Sequence, residues 1–578
     1  MSSCRSRRIV VLLVGLLAPG AARAQRPAPL APGAPVSERI APGQLRTFPV
    51  DLAAGRFVYG VADQRDVDLV VTVKDPAGRE VGTFDGPARG PERFTFSSDV
   101  AGRYTIELRP FGDSAGAYTV ALERVEPVAT TPEGRVDQIL APYTGERTPG
   151  AAVAVFRDGR IVFEKGYGMA DLEAGAPVTP RTVFHVASVS KQFTAYAIAL
   201  LAGEGKLSLD DDVRKHLPEV PDFGRTITLR HLLHHTSGLR DQWALWAMAG
   251  GRMDDVITED DLLWLITHQR ELNFTPGAEY LYSNSGFTLL AKVVERVSGK
   301  PFPAFARERL FEPLGMASTQ VYDDHQRLVP GRAYSYEPDG RGGWEKSVLS
   351  YANYGATSLF TTVEDLARWL ENYDQPKVGT GATVRLMEER GVLNKGDTIP
   401  YALGIVVDTF RGLRRLEHGG ADAGYRSDVA FFPELHAGVV VLANAADFDA
   451  GGTARRVAEA FWGDRMGPPP PRRPQPSRKP AARAAKAAPP DPAALVGRYY
   501  SPELEAFYTI SLEGGKLVAR SRRSGAIALE PAGPDELDGS AWYFQKVRVQ
   551  RDAAGKVTGI RVSNGRVRNL LFEKQAGG

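Results

Sequence analysis

The sequence predicts a multidomain chain in which a mixed α/β domain lies between two small all-β domains. At 578 residues the chain is too long for a single hydrophobic core. Short apolar–polar alternations with glycine-rich turns fill residues 39–125 and 493–578, whereas residues 132–465 combine such runs with longer helical patterns. The formal net charge of only +2 gives no reason to expect a nucleic acid as a partner.

The first 24 residues have the pattern of a cleaved signal peptide. Three arginines precede the apolar run 9–18, and residues 22–24 (Ala-Arg-Ala) supply the small residues of a cleavage site. This run is much shorter than the roughly 20 residues needed to cross a bilayer, so we expect no transmembrane segment in the mature chain. The sequence therefore predicts export to the periplasm or the outside of the cell. Because the single cysteine, Cys4, precedes the cleavage site, no disulfide is expected in the mature chain.

The N-terminal all-β domain is predicted over residues 39–125, after a Pro- and Ala-rich segment, 25–38, that we expect to be flexible. Alternating runs at 48–52, 69–73, 104–108 and 118–122 predict a small antiparallel sandwich. Together with residues 75–78 (Asp-Pro-Ala-Gly), 102–104 (Gly-Arg-Tyr) and 116–118 (Gly-Ala-Tyr), they resemble the bacterial pre-peptidase C-terminal domain. That resemblance implies an accessory module of a secreted hydrolase.

The central region, residues 132–465, mixes helices and strands. Apolar runs at 151–156 and 161–163 flank an Asp-Gly turn and predict a hairpin. An amphipathic helix is expected from Phe287 to Val297, with Gly299 ending it, and buried strands are expected at 429–432 and 438–442.

The C-terminal part contains a linker and a second β domain. Residues 467–492 carry a proline run, alanine repeats and six basic residues against one acid, a composition that cannot bury a core. Short alternating strands then follow through residues 493–578 and predict a small antiparallel, barrel-like module.

Two serines are candidates for a nucleophile. Ser114 lies in a Gly-x-Ser-x-Gly match, but that motif requires a strand-to-helix turn, and this one falls between two predicted strands. Ser188 begins a helical stretch that runs to about Leu201, and Lys191 follows three residues later on the same face. A buried lysine has a lowered pKa and can act as the base for such a serine. The alternative is a serine that caps a helix beside an exposed lysine.

Two further motifs support Ser188. Tyr282-Ser283-Asn284 offers a phenol that can pass a proton to a leaving group and an amide that can hold a substrate carbonyl. The segment 418–420 (His-Gly-Gly) precedes a strand-like run, so small residues let a substrate approach a sheet edge, and the N–H of Ala421 can donate to an oxyanion. Each motif alone is an ordinary loop sequence, but their order within one domain favours a hydrolase.

Residues 132–465 resemble the superfamily of serine beta-lactamases and D-alanyl-D-alanine carboxypeptidases, in the branch of class C beta-lactamases and related esterases. The resemblance rests on residues 186–194 (Val-Ala-Ser-Val-Ser-Lys-Gln-Phe-Thr), 232–239 (Leu-Leu-His-His-Thr-Ser-Gly-Leu) and 418–420. It implies an antiparallel sheet flanked by helices, a second all-helical lobe, and a site in the cleft between them. No cofactor is implied.

The same resemblance implies residue roles. Ser188 would be acylated, Lys191 and Tyr282 would share the general-base role, and the amides of Ser188 and Ala421 would form the oxyanion hole. The remaining matched residues would bind substrate, namely Asn284, His418, Gly419 and Gly420. Where strict beta-lactamases carry Lys-Thr-Gly, this chain has His418, and this loss of a fixed cation weakens the case for a carboxylate-bearing beta-lactam substrate.

The predicted function is therefore an exported serine hydrolase that cleaves an ester or amide bond of a small-molecule or peptide substrate, with cell-envelope material as a further partner. Esterase, D-amino-acid peptidase or carboxypeptidase, and beta-lactamase activities stay open. The alternative is an inactive homologue that binds envelope peptides or sugars. A metal site at His231, His234 and His235 is not expected, because no carboxylate motif adjoins them.

Overall fold

The computed structural model of the chain describes residues 29–86, 88–469 and 490–576. The predicted signal peptide and most of the predicted linker lie outside these residues. Among the described helices, none combines the length and the apolar character that a membrane crossing requires.

The N-terminal domain is a sandwich of two four-stranded antiparallel sheets, ordered β1-β8-β3-β6 and β2-β7-β4-β5. Alternate residues are buried along strand β6 and the first part of β8, as the period-2 pattern predicts. The strands are β1 Val36–Ile40, β2 Arg46–Leu52, β3 Arg56–Gln64, β4 Leu69–Lys74, β5 Glu80–Phe84, β6 Gly90–Ser98, β7 Gly102–Pro110 and β8 Gly116–Pro127.

The segment predicted to be flexible, 25–38, is partly ordered, which corrects that expectation from residue 29 onward. Leu30 is buried in the sandwich core and its N–H donates to the carbonyl of Pro49 over 3.1 Å. Strand β1 begins at Val36 and pairs with β8. One buried leucine and one edge strand are enough to hold the segment in place. The overall composition of the segment does not show such contacts, so the prediction missed them. The resemblance to the pre-peptidase C-terminal domain stays a prediction.

The central domain is built on a six-stranded antiparallel sheet with the order β10-β9-β23-β22-β21-β20. Small strands complete the domain. The strands are β9 Ala151–Arg157, β10 Arg160–Tyr167, β11 Met169–Asp171, β12 Ala176–Pro177, β13 Phe184–His185, β14 Ile257–Thr258, β15 Gln320–Val321, β16 Tyr336–Pro338, β17 Trp344–Lys346, β18 Tyr351–Ala352, β19 Leu359–Thr361, β20 Val406–Phe410, β21 Leu413–Asp422, β22 Tyr425–Phe432 and β23 Ala437–Ala443.

Helices cover both faces of this sheet and form a separate lobe beside it. The helices of the domain are α1 Pro132–Ile139, α2 Lys191–Gly203, α3 Leu229–Leu233, α4 Gln242–Met248, α5 Glu259–Thr267, α6 Asn284–Ser298, α7 Phe302–Ala306, α8 Glu312–Leu314, α9 Val363–Asp374, α10 Gly381–Met387 and α11 Ala450–Trp462. All seven residues of β23 are buried, because α11 and α9 cover its two faces. Helix α6 is the centre of the lobe and packs against α2, α3, α5 and α7.

The predicted elements of this domain are confirmed. The β9–β10 hairpin turns at Asp158 and Gly159, both with positive φ as a type I′ turn requires. Helix α6 begins three residues earlier than predicted and ends at Gly299, which is left-handed with a φ of 70°. The antiparallel sheet flanked by helices and the helical lobe are those that the resemblance implies.

The C-terminal domain is a closed eight-stranded barrel preceded by a short helix. Its elements are α12 Pro492–Leu495, β24 Gly497–Ser501, β25 Ala506–Glu513, β26 Lys516–Arg520, β27 Ile527–Gly533, β28 Glu536–Ala541, β29 Phe544–Arg551, β30 Val557–Ser563 and β31 Leu570–Lys574.

The barrel docks on the helical lobe through arginine–carboxylate pairs. The central one joins Nη1 of Arg240 to both carboxylate oxygens of Glu503 at 2.6 and 2.7 Å. Both side chains are almost fully buried, at 1% and 7% exposure, and burial raises the pKa of Glu503. Arg561 and Arg568 make peripheral pairs with Glu271 and Glu279.

The buried pair predicts how the barrel depends on its docking surface. Glu503→Ala leaves the buried Arg240 guanidinium with only the longer contact to Glu271, 3.4 Å from its Nη2, which should destabilise the docked protein by about 3 kcal/mol. Thermal unfolding should show a lower Tm for this variant. Glu513→Ala, which removes an exposed partner of Arg520 in the same barrel, is the control and should leave Tm unchanged. Equal Tm values for the two variants would contradict the assigned role.

Candidate active site

Ser188 lies in a tight 3-10 turn, residues Ala187–Ser190, that runs directly into α2. The α-helix begins at Lys191 rather than at Ser188, which corrects the predicted start. Side chains three apart eclipse one another in a 3-10 turn, so this geometry aligns Ser188 with Lys191 more closely than an α-helix would. Ser190 fixes the turn, since its hydroxyl donates to the carbonyl of Ala187 over 2.6 Å. Ala187 has a φ of 48°, a strained value for a residue with a side chain.

Lys191 is fully buried, and its amine contacts three oxygen atoms. Nζ lies 3.0 Å from Oγ of Ser188, 2.8 Å from Oδ1 of Asn284 and 2.7 Å from the carbonyl oxygen of Ala356. Burial lowers the pKa of Lys191 to about 7, although the carboxylates of Asp422 and Asp241 oppose that shift. A substantial fraction of the amine is therefore neutral near neutral pH.

The three contacts also orient the neutral amine. A carbonyl oxygen and an amide oxygen can only accept, so Ala356 and Asn284 take the two N–H bonds that a neutral amine retains. The lone pair of the amine is then left to face the hydroxyl of Ser188. This is the arrangement that a base for the serine requires.

Asp241 fixes the orientation of Asn284 and was missed by the sequence analysis. One carboxylate oxygen of Asp241 accepts from the backbone N–H of Asn284 over 2.8 Å and from its Nδ2 over 2.7 Å. The amide oxygen is consequently held toward Lys191. Both ends of the Asn284 amide thus bind protein groups, and its predicted contact with substrate stays a prediction.

Tyr282 projects into the site with a free hydroxyl. Its ring packs on His235 with a centroid distance of 4.1 Å, and Nδ1 of His235 accepts from the N–H of Ser283 over 3.1 Å. The hydroxyl is buried and has no hydrogen-bond partner among the described residues. Burial raises the pKa of Tyr282, while Ser188 and Arg566 beside it oppose the shift. A buried hydroxyl without a protein partner is suited to donate to a bound substrate.

The edge of β21 forms the other wall of the cleft. Strand β20 pairs only with Leu413–Glu417 of β21, so the segment from His418 to Asp422 has β22 on one side and the cleft on the other. A side chain at Gly420 would collide with the carbonyl of Val186 and with Ser427. Glycine therefore lets this strand approach the turn that carries Ser188. Ala421 lines the same cavity as Ser188, and its role in an oxyanion hole stays a prediction.

His418 is neutral in this setting. Its Nδ1 donates to the carbonyl of Gly419 over 2.6 Å, and Nε2 accepts from the hydroxyl of Tyr401 over 2.9 Å. Burial, reinforced by the charge of Lys191, lowers the pKa of His418 to about 3. Arg426, a second basic residue in the lining of the cleft, directs Nη1 to the backbone carbonyls of Ala423 and Tyr425.

These groups surround one cavity of about 490 Å³ at the junction of the central sheet, the helical lobe and the barrel. It is lined by all the predicted site residues except Lys191, which lies beneath Ser188. It is also lined by Trp243, Asp422 and Arg566, which the sequence analysis did not assign to the site. Arg566 comes from the barrel.

The remaining candidates have structural contacts. Ser114 lies in the loop between β7 and β8, where its hydroxyl accepts from the N–H of Asp68 over 2.8 Å. His231 caps α3, and Nε2 of His234 donates to the carbonyl of Glu389. Within residues 29–86, 88–469 and 490–576, no three metal-ligating side chains converge.

The role assigned to Asp241 is testable. Asp241→Ala frees the amide of Asn284 to rotate and misplaces Lys191, so kcat should fall about 100-fold in a folded protein. Asp241 also caps the N-terminus of α4. Thr258→Ala is therefore the control, because it removes the cap of α5 in the same lobe without touching the site, and it should cost about 1 kcal/mol of stability but no activity. An unchanged kcat for a folded Asp241→Ala protein would contradict this role.

Comparisons with known proteins show the family of the central domain. The family model described as Beta-lactamase matches residues 136–461. A D-aminopeptidase from Brucella anthropi is 30% identical over 278 residues, which are 48% of this chain and 52% of that protein. A D-aminopeptidase from Gluconobacter oxydans is 29% identical over 314 residues, 54% of this chain and 58% of that protein. The chain thus spans only about half the length of these relatives.

Two solved structures share the fold. The octameric penicillin-binding protein homologue from Pyrococcus abyssi superposes with a TM-score of 0.51 at 23% identity, over 76% of this chain and all of that one. The D-amino acid amidase from Ochrobactrum anthropi SV3 does so with a TM-score of 0.50 at 22% identity, over 58% of this chain and 99% of that one. Because the family model covers more than half of the sequence, the chain belongs to the beta-lactamase family.

Proposed function

We propose that this protein is an exported serine hydrolase that cleaves amide bonds of D-amino-acid derivatives through an acyl-enzyme on Ser188. The observation that carries the proposal is the 3.0 Å contact between Ser188 and a buried Lys191 whose pKa is lowered to about 7. The choice of D-amino-acid amides and peptides is supported by the relatives named D-aminopeptidase. Export is supported by the signal-peptide pattern of residues 1–24.

Acylation follows from the contacts of Lys191. The neutral amine takes the proton of the Ser188 hydroxyl as Oγ bonds to the scissile carbonyl carbon. The negative charge that develops on the carbonyl oxygen accepts hydrogen bonds from the N–H groups of Ser188 and Ala421. The C–N bond then breaks, and the leaving nitrogen receives a proton through the hydroxyl of Tyr282, which is replenished from Lys191.

Deacylation uses the same groups in reverse. A water molecule gives its proton to Tyr282 and Lys191 while its oxygen attacks the acyl carbon. The Ser188–acyl bond breaks, Oγ takes back a proton, and the free acid leaves. Over the whole cycle the proton taken from Ser188 leaves on the amine and one proton of the water restores the Ser188 hydroxyl. Lys191 and Tyr282 end in their starting protonation states, and the net reaction is hydrolysis.

Residue 418 itself supplies no charge that would favour a beta-lactam. Its imidazole is neutral and its two nitrogens are engaged by Gly419 and Tyr401, so it offers no positive charge to a lactam carboxylate. Because burial lowers the pKa of His418 to about 3, acidification to about pH 6 would not create a cation there.

The experiment combines labelling with turnover. A fluorophosphonate should add to the wild-type protein once, as intact-mass spectrometry reports, and D-alanine p-nitroanilide should be hydrolysed faster than a chromogenic cephalosporin. Ser188→Ala should abolish both signals, and Lys191→Ala or Tyr282→Phe should each reduce turnover about 10²–10⁴-fold. Ser114→Ala is the matched control and should behave as wild type.

Other outcomes would reject the proposal. Labelling of the Ser188→Ala protein would place the nucleophile elsewhere. A wild-type protein that folds but neither labels nor turns over any of these substrates would instead support an inactive homologue that binds envelope peptides or sugars. Faster hydrolysis of the cephalosporin would favour a beta-lactamase.

A further inference from the structure

A hairpin of the C-terminal barrel reaches the active-site cavity. Strands β30 and β31 are joined by residues 564–569, and Arg566 at the tip lines the same cavity as Ser188 and Tyr282. The guanidinium carbon of Arg566 lies 4.9 Å from the centroid of the Tyr282 ring. The barrel therefore contributes a charged side chain to a site whose other residues come from the central domain.

The backbone of this hairpin is anchored on both sides. Within the turn, Oδ1 of Asn564 accepts from the N–H groups of Arg566 and Val567 at 2.7 and 2.8 Å. Across the domain boundary, Nδ2 of Asn273 donates to the carbonyl of Arg566 over 3.0 Å, and Oδ1 of Asn273 accepts from the N–H of Arg568 over 2.8 Å. These anchors use main-chain atoms of Arg566, so its side chain is not needed to hold the hairpin.

The guanidinium itself is only loosely paired. Its closest carboxylate, Asp241, is 3.8 Å away, beyond the 2.7–2.9 Å of a charge-assisted hydrogen bond, and that oxygen already accepts twice from Asn284. The Arg566 side chain is 47% exposed, and the residue lines the cavity. The N–H groups along one edge of its planar guanidinium can bind a carboxylate with two parallel hydrogen bonds.

The neighbouring cations are committed elsewhere. Lys191 contacts Ser188, Asn284 and Ala356, while Arg426 directs Nη1 to backbone carbonyls. His418 has both ring nitrogens bound. Arg566 thus gives the cavity a permanent positive charge. The central domain supplies no such charge at position 418, where it has a neutral histidine.

We propose that Arg566 of the barrel binds the free carboxylate of the leaving group, which makes the site selective for peptides whose scissile bond is followed by a C-terminal residue. The placement beside Tyr282 motivates this choice, since the proposed function has Tyr282 protonate the leaving nitrogen. In a C-terminal residue the carboxylate carbon lies two bonds beyond that nitrogen. The inference rests on the proposed function and adds the substrate class to it.

A matched pair of substrates tests the proposal. We would measure kcat/KM for D-Ala-D-Ala and for its C-terminal amide, which differ only in the carboxylate. The wild-type enzyme should prefer the free acid, and Arg566→Ala should lower kcat/KM for the acid about 10- to 150-fold while changing that for the amide less than about threefold. Arg566→Lys should recover part of the loss, because it restores the charge without the planar pair of donors.

The control is Arg568→Ala in the same hairpin. The Arg568 side chain pairs with Glu279 away from the cavity, so this variant should retain the wild-type preference for the acid. Thermal melts of both alanine variants would show that the barrel stays docked.

Each remaining outcome is decisive. Equal losses of kcat/KM on the two substrates would show that the guanidinium acts on Tyr282 rather than on a carboxylate. No loss on either substrate would show that Arg566 does not take part in the reaction. Both results overturn the inference. A wild-type enzyme that hydrolyses the amide but not the acid also overturns it and leaves the proposed function intact. Failure on both substrates together with absence of fluorophosphonate labelling would overturn the proposed function itself.

Discussion

The burial of the Lys191 amine is the constraint on which the site depends. Within the described part of the chain no carboxylate contacts this amine directly, so its charged form has lost water without gaining an ion pair. The cost of that desolvation lowers the pKa of Lys191 toward neutrality. The more distant carboxylates of Asp241 and Asp422 limit this lowering of the pKa. The amine is therefore partly deprotonated near neutral pH and still basic enough to take the proton of Ser188.

The fold supplies each contact of this amine from a different element. The 3-10 turn before α2 places Ser188, the first residue of α6 supplies Asn284, and the loop before β19 supplies the carbonyl of Ala356. The edge of β21 closes the cleft opposite them, and Gly420 permits the close approach. The tip of a barrel hairpin completes the wall with Arg566. The central domain alone therefore does not contain the whole cavity.

Local patterns made much of this site predictable from the sequence. Ser188 and Lys191 are three residues apart, Tyr282 and Asn284 are two apart, and residues 418–420 form one short motif, so their chemistry is visible without a fold. The hairpin β9–β10 and helix α6 were predictable for the same reason, because periodicity and turn residues are local signals. The 3-10 geometry at Ser188 was missed, since a helix start has the same sequence pattern as a tight turn.

The contacts that orient those groups were not predictable, because they join distant parts of the chain. Asp241 is 43 residues from Asn284, and its sequence neighbours give only the signal of a helix cap. His235 belongs to a histidine-rich run in which no metal site was expected, but nothing in that run indicated that its ring would pack on Tyr282. Arg566 lies in another domain, in a polar hairpin tip like many others, and only docking of the barrel brings it to the cleft.

The most direct test of the account is the pH dependence of acylation. The burst rate of a p-nitrophenyl acyl ester, which lacks a leaving-group carboxylate, would be followed from about pH 5 to about pH 9. A base must be deprotonated to act, so the account predicts a rate that rises about tenfold per pH unit, bends at the Lys191 pKa of about 7, and then stays constant. A rate that is flat across this range, or that still rises about tenfold per pH unit at pH 9, as a base with the ordinary lysine pKa of about 10.4 would make it, would contradict the central claim that a buried, neutral Lys191 activates Ser188.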